Sequence, residues 1–409
     1  MKTIKFFTLG CKVNQYDTQS IREKFLSSGY KESGKNSKAD TYLINTCTVT
    51  HRADSESLNL IRRAKKENPK AKIIVTGCLA ELDSARIKKI GVNSIVKNKD
   101  KNKISNINGI SDFKAHARAF LKIQDGCDNY CSYCKVPLVR GRSRSRPLSK
   151  IVQEAGRLVN KGFKEIVLTG ICLGLYGKDL KPKMSLVRVI DRLEKIDGLL
   201  RIRLSSIEAG DVTKELIRKM KNSKKLCPHL HIPIQSGDDQ VLKKMRRKYT
   251  SRDYLNLIRR IKKQVPEAAI TTDVLVGFPQ EEEVNFKNTL DLVKKIAPLR
   301  THIFPYSKRE GTTASINFKK EVAPEVIKKR VFLLKNLADM CSLKYRNKFL
   351  GRKLDVLIEG NFKDNPFLWE GHTDNYLKVL VRSNKDLKNR VVHPRLIRIK
   401  NESILAFRG

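Results

Sequence analysis

The stretch DGCDNYCSYCKVP, residues 125–137, places three cysteines on one short loop directly after an apolar run, AFLKIQ (119–124). Cys127, Cys131 and Cys134 follow the spacing C-x3-C-x2-C. Three thiolates on one loop can hold three corners of a [4Fe-4S] cube, which leaves the fourth iron open to another ligand. Structural zinc is the alternative, but it normally takes four closely placed Cys or His ligands, and none follows soon after Cys134. The spacing therefore favours an iron-sulfur site over zinc.

The cysteine loop stands near the start of a series of strands that alternate with helical segments. The strand segments are AFLKIQ (119–124), EIVLTG (165–170), RIRLSS (201–206), HLHIPIQ (229–235), ITTDVLVGF (270–278) and THIFPY (301–306). Six β/α units are fewer than the eight of a closed barrel, but they follow the same local pattern. Residues 113–342 are therefore predicted to form a partial, parallel (β/α)6 barrel, with the cysteine loop at the carboxyl end of its first strand.

A second set of thiols lies in the first hundred residues. The apolar runs KFFTLG (5–10), TYLINT (41–46), KIIVTG (72–77) and NSIVKN (93–98) are separated by amphipathic helical spans, which predicts a parallel α/β sheet in a domain over residues 1–100. Cys11, Cys47 and Cys78 directly follow the first three strands. Because the carboxyl ends of parallel strands form the ligand crevice of an open sheet, these thiols are expected to converge. The polar segment at 97–113 is predicted to be a linker.

The last part of the chain has a different pattern. A long helix is predicted from about Pro324 to Phe349, followed by LDVLIEG, NYLKVLVRS and HPRLIRIKNESILAFRG, in which apolar and polar residues alternate. Alternation between turn signals is typical of antiparallel strands with one solvated face. Residues 343–409 are therefore predicted to form a small antiparallel β-domain, and the whole chain is α/β in class.

Composition indicates a polyanionic partner. The chain of 409 residues carries 85 basic against 42 acidic side chains, a formal net charge of +43. Such an excess favours nucleic acid binding. No apolar run approaches the ~20 residues of a membrane span, and the run at the start is shorter than that of a signal peptide. A cytoplasmic location without membrane association is expected, in which the nine cysteines stay reduced.

The loop 125–137 resembles that of the radical S-adenosylmethionine superfamily. The resemblance implies that the open iron binds S-adenosylmethionine and that an electron from the cluster cleaves it to a 5′-deoxyadenosyl radical. It also implies a cofactor-binding role for Tyr133, which matches the aromatic position near the adenine. Gly170 in VLTGICLG and Glu208 in SSIEAG stand at later strand ends and are predicted to approach the methionine part and the ribose or amino group.

With the amino-terminal thiols added, the chain is similar to the methylthiotransferases. That resemblance implies a second [4Fe-4S] cluster on Cys11, Cys47 and Cys78, and a TRAM-like RNA-binding domain at 343–409. The stretches LGCKVNQYDTQ (9–19), LHIPIQSGDDQVLKKMRRKYT (230–250) and HIFPYSKREGTTA (302–314) look like the branch that modifies threonylcarbamoyladenosine at position 37 beside the tRNA anticodon. Alternatives are the branches that act on isopentenyladenosine or a ribosomal protein, and a non-catalytic, zinc-containing RNA-binding protein. The electron and sulfur donors are not identified by the sequence.

Several residues outside the clusters are also predicted to be functional. Arg140, Arg142, Arg144 and Arg146 stand two apart in KVPLVRGRSRSRP (135–147), so an extended backbone would aim all four at RNA phosphates, with internal ion pairs as the alternative. Tyr376 is predicted to stack on an RNA base. His229 and His231 share one face of a strand, as core or as substrate contacts. Cys172, Cys227 and Cys341 are predicted to be structural.

Overall fold

The amino-terminal domain is a five-stranded parallel sheet flanked by helices. The computed structural model describes residues 1–34, 36–106, 108–114, 116–363 and 365–407. The strands are β1 Thr3–Thr8, β2 Lys31–Glu32, β3 Thr41–Thr46, β4 Lys72–Gly77 and β5 Ser94–Val96, in the order β2-β1-β3-β4-β5, and the helices are α1 Lys12–Ser27, α2 His51–Glu67, α3 Cys78–Leu82 and α4 Ser84–Lys88. Every strand pair is parallel, as predicted. The two-residue edge strand β2 is too short to have a pattern of its own.

Six parallel strands then form the open barrel, in two three-stranded halves. The strands are β6 Arg118–Lys122, β9 Glu165–Thr169, β10 Arg201–Leu204, β11 His229–His231, β12 Ala269–Val276 and β13 Arg300–Pro305, and β7 Gln124–Asp125 and β8 Arg144–Ser145 form a ribbon around the cysteine loop. Isolated bridges join the halves at Ile202–Leu226 and Ser206–His231. Among the described residues β6 and β13 do not pair with each other, so the barrel is open on one side. The predicted partial barrel is confirmed.

Helices cover the outside of the barrel. They are α5 Val136–Arg140, α6 Leu148–Asn160, α7 Leu186–Glu194, α8 Lys214–Asn222, α9 Asp239–Lys244, α10 Ser251–Gln264, α11 Glu283–Ile296, α12 Thr313–Asn317 and α13 Pro324–Asn347, with 3-10 turns at Asn98–Lys103, Leu173–Leu175 and Ala209–Asp211. Their apolar faces and the outward faces of the strands make one large core. α13 spans almost the whole helix predicted from Pro324.

The carboxyl-terminal sheet is mixed, which corrects the antiparallel prediction. Its strands are β14 Val356–Phe362, β15 Asn365–Thr373, β16 Lys378–Arg382, β17 Val391–Val392, β18 Arg395–Lys400 and β19 Ser403–Phe407, in the order β17-β14-β15-β16-β19-β18. β16 and β19 run parallel, and the other pairs are antiparallel. Alternation of apolar and polar residues sets which face is buried but not the direction of a neighbour, so this crossover could not be predicted.

The segment 97–113, predicted to be a linker, is packed against both neighbouring domains where it is described. The Lys101 ammonium lies 2.9 Å from Asp17 of α1 and is largely buried. Ile110 and Phe113 are buried in the barrel core. Its polar composition misled the prediction, because a charged side chain can be buried when it meets a fixed partner. Residue 107 of this segment and residues 364, 408 and 409 of the predicted β-domain lie outside the described ranges.

The β15–β16 turn closes the amino-terminal end of the barrel. Arg201 of β10 donates to the His372 carbonyl at 3.0 Å, and Arg203 donates to the Asp374 carbonyl at 2.8 Å and the Thr373 carbonyl at 3.1 Å. All these groups are largely buried. The barrel is therefore sealed at this end, and its carboxyl end and open side remain as routes for ligands.

Candidate active site

The first three candidate ligands lie on the loop between β7 and α5. Cys127, Cys131 and Cys134 are partly buried and close enough to affect one another's ionisation. Gly126 has φ +73°, and a Cβ there would stand 1.9 Å from the Arg142 carbonyl oxygen, so only glycine fits at the loop entrance. Burial raises the pKa of Cys134 to about 12. A metal that binds this thiol must therefore displace its proton.

Arg247 joins this loop to a predicted cofactor residue, and the sequence analysis missed it. Its Nη1 lies 3.3 Å from the Cys131 sulfur, and its Nη2 pairs with the Glu208 carboxylate and lies 3.0 Å from the Tyr249 hydroxyl. The Arg247 side chain is only 3% exposed. Burial raises the pKa of Glu208, which the Arg247 charge opposes. The sequence of MRRKYT (245–250) does not predict this contact, because Arg247 reaches the cysteine loop only in the folded barrel.

Cys172, predicted to be structural, lies beside the first loop thiol. A hydrogen bond with Cys172 is the main cause of the lowered pKa of Cys127. Gly170 precedes it, and a Cβ on Gly170 would stand 2.8 Å from the Oε1 atom of Gln124. Gln124 accepts from the Cys172 backbone N–H at 3.0 Å and donates to the Gly126 carbonyl at 2.7 Å. Gly170 thus makes room for a side chain that fixes both loops, and its contact with a cofactor stays a prediction.

The second set of thiols stands at the carboxyl ends of β1, β3 and β4. Cys11 is exposed and is the N-cap residue of α1, whereas Cys47 and Cys78 are buried. Burial, with a smaller contribution from the nearby Cys78 and Cys11, raises the pKa of Cys47 to about 11. The three cysteines stand at neighbouring strand ends on one edge of the sheet, within electrostatic range of one another.

Two glycines with positive φ shape this second set. Gly10 has φ +95°, and a Cβ there would stand 2.9 Å from the Cys47 sulfur. Gly77 has φ +100°, and a Cβ there would stand 2.3 Å from the Thr46 carbonyl oxygen. Each glycine thus lets two chain segments approach closely at a strand end that carries a thiol. Three thiols at neighbouring strand ends are a donor set that fits a four-iron cluster with one iron unligated by protein.

A cavity of about 240 Å³ lies between the two sets of thiols. Cys78 lines it from the amino-terminal domain, and Cys134 and Tyr133 line it from the cysteine loop. Asp273 of β12 and Phe304 of β13 form part of the opposite wall. Its lining is mostly apolar. The arrangement brings both thiol sets, which are far apart in sequence, to one cavity.

Arg309, which the sequence analysis did not single out, lines this cavity and fastens the two domains. Its Nη2 lies 2.8 Å from the hydroxyl of Thr48, which follows Cys47 in the chain, and 2.6 Å from the Asp54 carboxylate of α2. Its Nε and Nη1 atoms are buried without a hydrogen-bond partner among the described residues. The Tyr306 hydroxyl, on the same wall, is also unpartnered within the described ranges. Unpaired buried donors at a cavity are suited to a polar ligand.

A buried ionic network also joins α1 to the barrel. The Asp17 carboxylate contacts the ammonium groups of Lys101 and Lys122, and lies 3.5 Å from Arg140. Although burial alone would raise the pKa of Asp17, these cations hold it well below its ordinary value. Arg140 Nη2 also lies 2.5 Å from the Asn14 Oδ1 atom. The stretch after Cys11 therefore fixes the domain interface beside the second set of thiols.

The geometry predicted for the arginines of 135–147 is wrong for the first of them. Arg140 ends helix α5 and is only 2% exposed, and its Nη1 lies 2.8 Å and 3.0 Å from the two Asp125 carboxylate oxygens. Gly141, with φ +73°, then turns the chain. The backbone is not extended at this point, so the spacing of two does not place Arg140 on a common face with the later arginines.

Of the other three arginines, one is paired inside the protein and two are exposed. Arg146 pairs with the buried Glu154 carboxylate at 2.5 Å and donates to the Tyr16 hydroxyl at 3.0 Å, which is the alternative of internal ion pairing. Arg142 and Arg144 are exposed. Only these two stand where a nucleic acid could reach them without rearrangement, and their binding role stays a prediction.

Tyr376 is held in the interior rather than presented to RNA, contrary to the prediction. Its ring stacks on His229 at 4.4 Å and on His372 at 5.0 Å between centroids. The guanidinium groups of Arg118, Arg203 and Arg300 lie 5.6, 4.9 and 5.8 Å from its centroid. Burial raises its pKa, but these and other cations outweigh that effect and lower it. The tyrosine is part of the turn that seals the barrel, and both of its faces are occupied.

The two histidines on one strand face are placed as predicted. His229 and His231 both contact the Thr271 hydroxyl, at 3.1 and 2.9 Å. His229 is buried against Tyr376, whereas His231 also lies 3.2 Å from the Asp273 carboxylate. One histidine is thus a core residue, and the other is half-buried and contacts Asp273, which lines the cavity.

Comparison with known proteins finds matches over almost the whole chain. Residues 3–97 match an uncharacterized protein family, UPF0004, and residues 121–293 match the radical SAM superfamily. A threonylcarbamoyladenosine tRNA methylthiotransferase, MtaB, of Bacillus subtilis is 39% identical over 97% of this chain and 94% of its own length. A tRNA-2-methylthio-N(6)-dimethylallyladenosine synthase of Clostridium tetani is 35% identical, also over 97% and 94%.

The chain belongs to the radical S-adenosylmethionine methylthiotransferase family. Its fold is shared more widely, since the radical S-adenosylmethionine methyltransferase TsrM of Kitasatospora setae superposes with a TM-score of 0.56 over 77% of each chain at 12% identity. No described helix has the length and apolar character needed to cross a membrane.

The turn after β12 contains a residue in a strained backbone conformation. In GFPQEE (277–282), Gln280 has φ +64°, which glycine adopts without strain. Glu281 stabilises the turn, because its carboxylate accepts the Gly277 N–H at 2.8 Å and pairs with Arg330 at 3.0 Å. The turn therefore forms with a non-glycine residue at positive φ, at the cost of local strain.

Proposed function

We propose that this protein replaces the C2 hydrogen of threonylcarbamoyladenosine, at position 37 of tRNA, by a methylthio group. The observation that carries the proposal is the cavity of about 240 Å³ lined by Cys78 and Cys134, one from each thiol set. A base held there would have both sets within reach. The names of the MtaB relatives and the stretches around Cys11 and His302 support this branch of the family.

Two [4Fe-4S] clusters and S-adenosylmethionine are the cofactors in this proposal. Cys127, Cys131 and Cys134 hold one cluster and the cofactor, and Cys11, Cys47 and Cys78 hold the other. When bound, these groups supply a carbon-centred radical and the sulfur to be transferred. The protein itself supplies position: Gly10 and Gly77 allow chain segments to approach closely beside the second thiol set, and Arg247 fixes the first loop through Cys131.

The chain's own residues also keep water from the reacting base. The cavity wall is mostly apolar, and Tyr133 packs with Phe278 and Met245 behind the first cysteine loop. Arg309 and Tyr306 offer unpaired donors at the same wall. A radical intermediate is protected from side reactions when the site is closed and dry.

The proposed partner is the tRNA anticodon loop. The net charge of +43 suits a polyanion, and the exposed Arg142 and Arg144 lie close in sequence to the first thiol set. An unpaired adenine beside the anticodon can be extruded at less cost than a paired one. With tRNA as substrate, the location is cytoplasmic, and an electron donor and a sulfur donor complete the partners.

Three variants test the proposal. Anaerobically reconstituted protein should contain about eight iron and eight sulfide, two four-iron clusters. Alanine at Cys127, Cys131 and Cys134 should abolish S-adenosylmethionine cleavage, whereas alanine at Cys11, Cys47 and Cys78 should keep cleavage and stop methylthiolation. Cys341→Ala is the control, because this buried thiol of α13 is remote from both sets in the fold and should leave both readouts intact. About four iron per chain would overturn the two-cluster assignment.

The branch is tested separately. Nucleosides of tRNA from cells that lack the gene should lack methylthio-threonylcarbamoyladenosine and should regain it on complementation. Loss of methylthio-isopentenyladenosine instead would establish the other branch, to which the relative at 35% identity belongs by name. Colourless purified protein containing zinc would favour the non-catalytic alternative, because iron-sulfur clusters are coloured and zinc is not.

A further inference from the structure

Asp273, on the wall of the cavity opposite the two thiol sets, is linked to two histidines. Asp273 of β12 and His302 of β13 stand directly opposite each other in the parallel register. The Asp273 oxygens lie 3.0 Å from His302 Nδ1 and 3.2 Å from His231 Nε2. Because an ionised carboxylate only accepts hydrogen bonds, both ring nitrogens must be donors. Although burial opposes ionisation, these two contacts hold the pKa of Asp273 well below its ordinary value.

The hydrogen bond to Asp273 determines which atom His302 presents to a ligand. With Nδ1 engaged, Nε2 is left, and it has no hydrogen-bond partner among the described residues. The His302 side chain is 44% exposed. With Nδ1 donating to Asp273, Nε2 can donate to an anionic or polar group in the imidazolium form of the ring.

The trio stands at the boundary of two cavities. Asp273 lines the cavity between the thiol sets, and His302 lines a second one of about 520 Å³ at the open side of the barrel. Arg300, two residues before His302 on the same strand face, lines the second cavity as well. In the described part of the chain Arg300 takes part in no salt bridge, although its guanidinium lies 5.8 Å from the Tyr376 ring centroid. A base in the first cavity could therefore extend a substituent past Asp273 toward two potential cations.

We propose that His302, held by Asp273 and assisted by Arg300, is the binding site for the carboxylate of the threonyl group on the substrate base. The adenine occupies the cavity between the thiol sets, and its N6 substituent passes Asp273 into the second cavity. Asp273 accepts from the N–H or O–H groups of that substituent, and His302 Nε2 and Arg300 donate to its carboxylate. The inference rests on the proposed function and names the residues that select its substrate.

The chemistry of the substituent explains why such a site selects one base. A threonylcarbamoyl group carries a carboxylate, a hydroxyl and amide N–H groups, whereas an isopentenyl group has none of these. An apolar substituent here would take water from the His302 Nε2 atom and the Arg300 guanidinium without offering either group an acceptor, which is unfavourable for polar groups. A site built for hydrogen bonds rejects an analogue that lacks them more strongly than an apolar pocket rejects an extra hydroxyl.

The test uses reconstituted holoenzyme and two tRNAs of one sequence, with and without the threonylcarbamoyl group. His302→Asn and Arg300→Gln should each raise KM for the modified tRNA by about tenfold or more, the loss expected for one charged hydrogen bond. Binding of the unmodified tRNA, cluster content and reductant-driven S-adenosylmethionine cleavage should stay unchanged. His393→Asn is the matched control, because His393 is exposed in the carboxyl-terminal domain and contacts only Asp355 among the described residues.

The outcomes separate this inference from the proposed function. Failure of the wild-type protein to modify either tRNA would overturn the function itself. An unchanged KM in both variants, or an equal loss of binding for the two tRNAs, would overturn the carboxylate site alone. A further, mononuclear metal ion that is lost in His302→Asn would also overturn it, since His231, Asp273 and His302 would then be ligands rather than substrate contacts.

Discussion

Replacing Asp17 by asparagine should loosen the contact between the amino-terminal domain and the barrel. Lys101 lies 2.9 Å from the carboxylate, and no other acidic partner of Lys101 is found in the described ranges. Lys122 and Arg140 would keep their ion pairs with the Asp125 carboxylate, at 3.4 and 2.8 Å. The main loss is thus one buried ammonium left unpaired, for which a destabilisation of about 3–5 kcal/mol is typical.

Urea denaturation of the reconstituted protein, followed by near-UV circular dichroism, measures this effect as a shift of the midpoint. Asp100→Asn is the control, because Asp100 pairs with Lys103 at 2.9 Å on the surface, where solvent screening leaves such a pair little effect on stability. Adding Lys101→Met to Asp17→Asn should recover at least about 1 kcal/mol, since it removes the unpaired charge. Equal midpoints for Asp17→Asn and Asp100→Asn would refute the reasoning.

The difference in stability between the wild-type protein and Asp17→Asn should also depend on pH. The pKa of Asp17 is depressed in the folded state, so its contribution is fully present above the unfolded pKa of about 3.9 and is lost as the pH falls through the lower folded value. The difference in midpoint between wild type and Asp17→Asn should therefore be constant from about pH 8 to pH 5 and should narrow only in stronger acid. A difference that shrinks near neutral pH would mean that another group is responsible.

Three further predictions follow from the site. Arg247→Met should keep iron content but alter the electron paramagnetic resonance spectrum of the reduced first cluster and lower S-adenosylmethionine cleavage by about tenfold or more, because Cys131 loses a charged hydrogen bond; an unchanged spectrum would contradict this. Gln280→Gly should stabilise the protein by roughly 1 kcal/mol by relieving its positive φ, seen as a higher urea midpoint, and a lower midpoint would be the contrary result. Neutralising Arg142 and Arg144 together should remove one to two phosphate contacts with tRNA. A plot of log affinity against log salt should become less steep by about 0.7 per lost contact, the value for single strands. An unchanged slope would mean that neither residue contacts RNA.

The sequence was sufficient for the parts of the site that lie on the chain in regular order. Cys127, Cys131 and Cys134 share one loop, and parallel strands bring their carboxyl ends to one edge whatever their order, so Cys11 and Cys47 could be assigned to one crevice before the fold was known. Both predictions depend on the period of strands and helices, which local sequence determines. The six barrel strands could be located for the same reason.

The errors arose where a side chain's role depends on tertiary partners. The two-residue spacing of the arginines favoured a common face, but Gly141 turns the chain, and Asp125 captures Arg140. The residues that surround Tyr376 in the sequence are typical of an RNA-binding segment. Its ring nevertheless stacks with His229 and His372, which are remote from each other in sequence. Arg247 could not be connected to Cys131 without the barrel. Charged and aromatic residues serve a core or a surface equally well, and only packing decides.

The turn of the carboxyl-terminal domain that seals the barrel bears on how far this protein is modular. Because Arg201 and Arg203 of the barrel donate three hydrogen bonds to carbonyl groups of that turn, a shortened chain that ends after α13 would leave their guanidinium groups without these acceptors. The catalytic barrel would then be incomplete rather than merely deprived of an RNA-binding attachment. Exchange of this domain between relatives, whether in evolution or by engineering, should succeed only when the turn and the two arginines are transferred together.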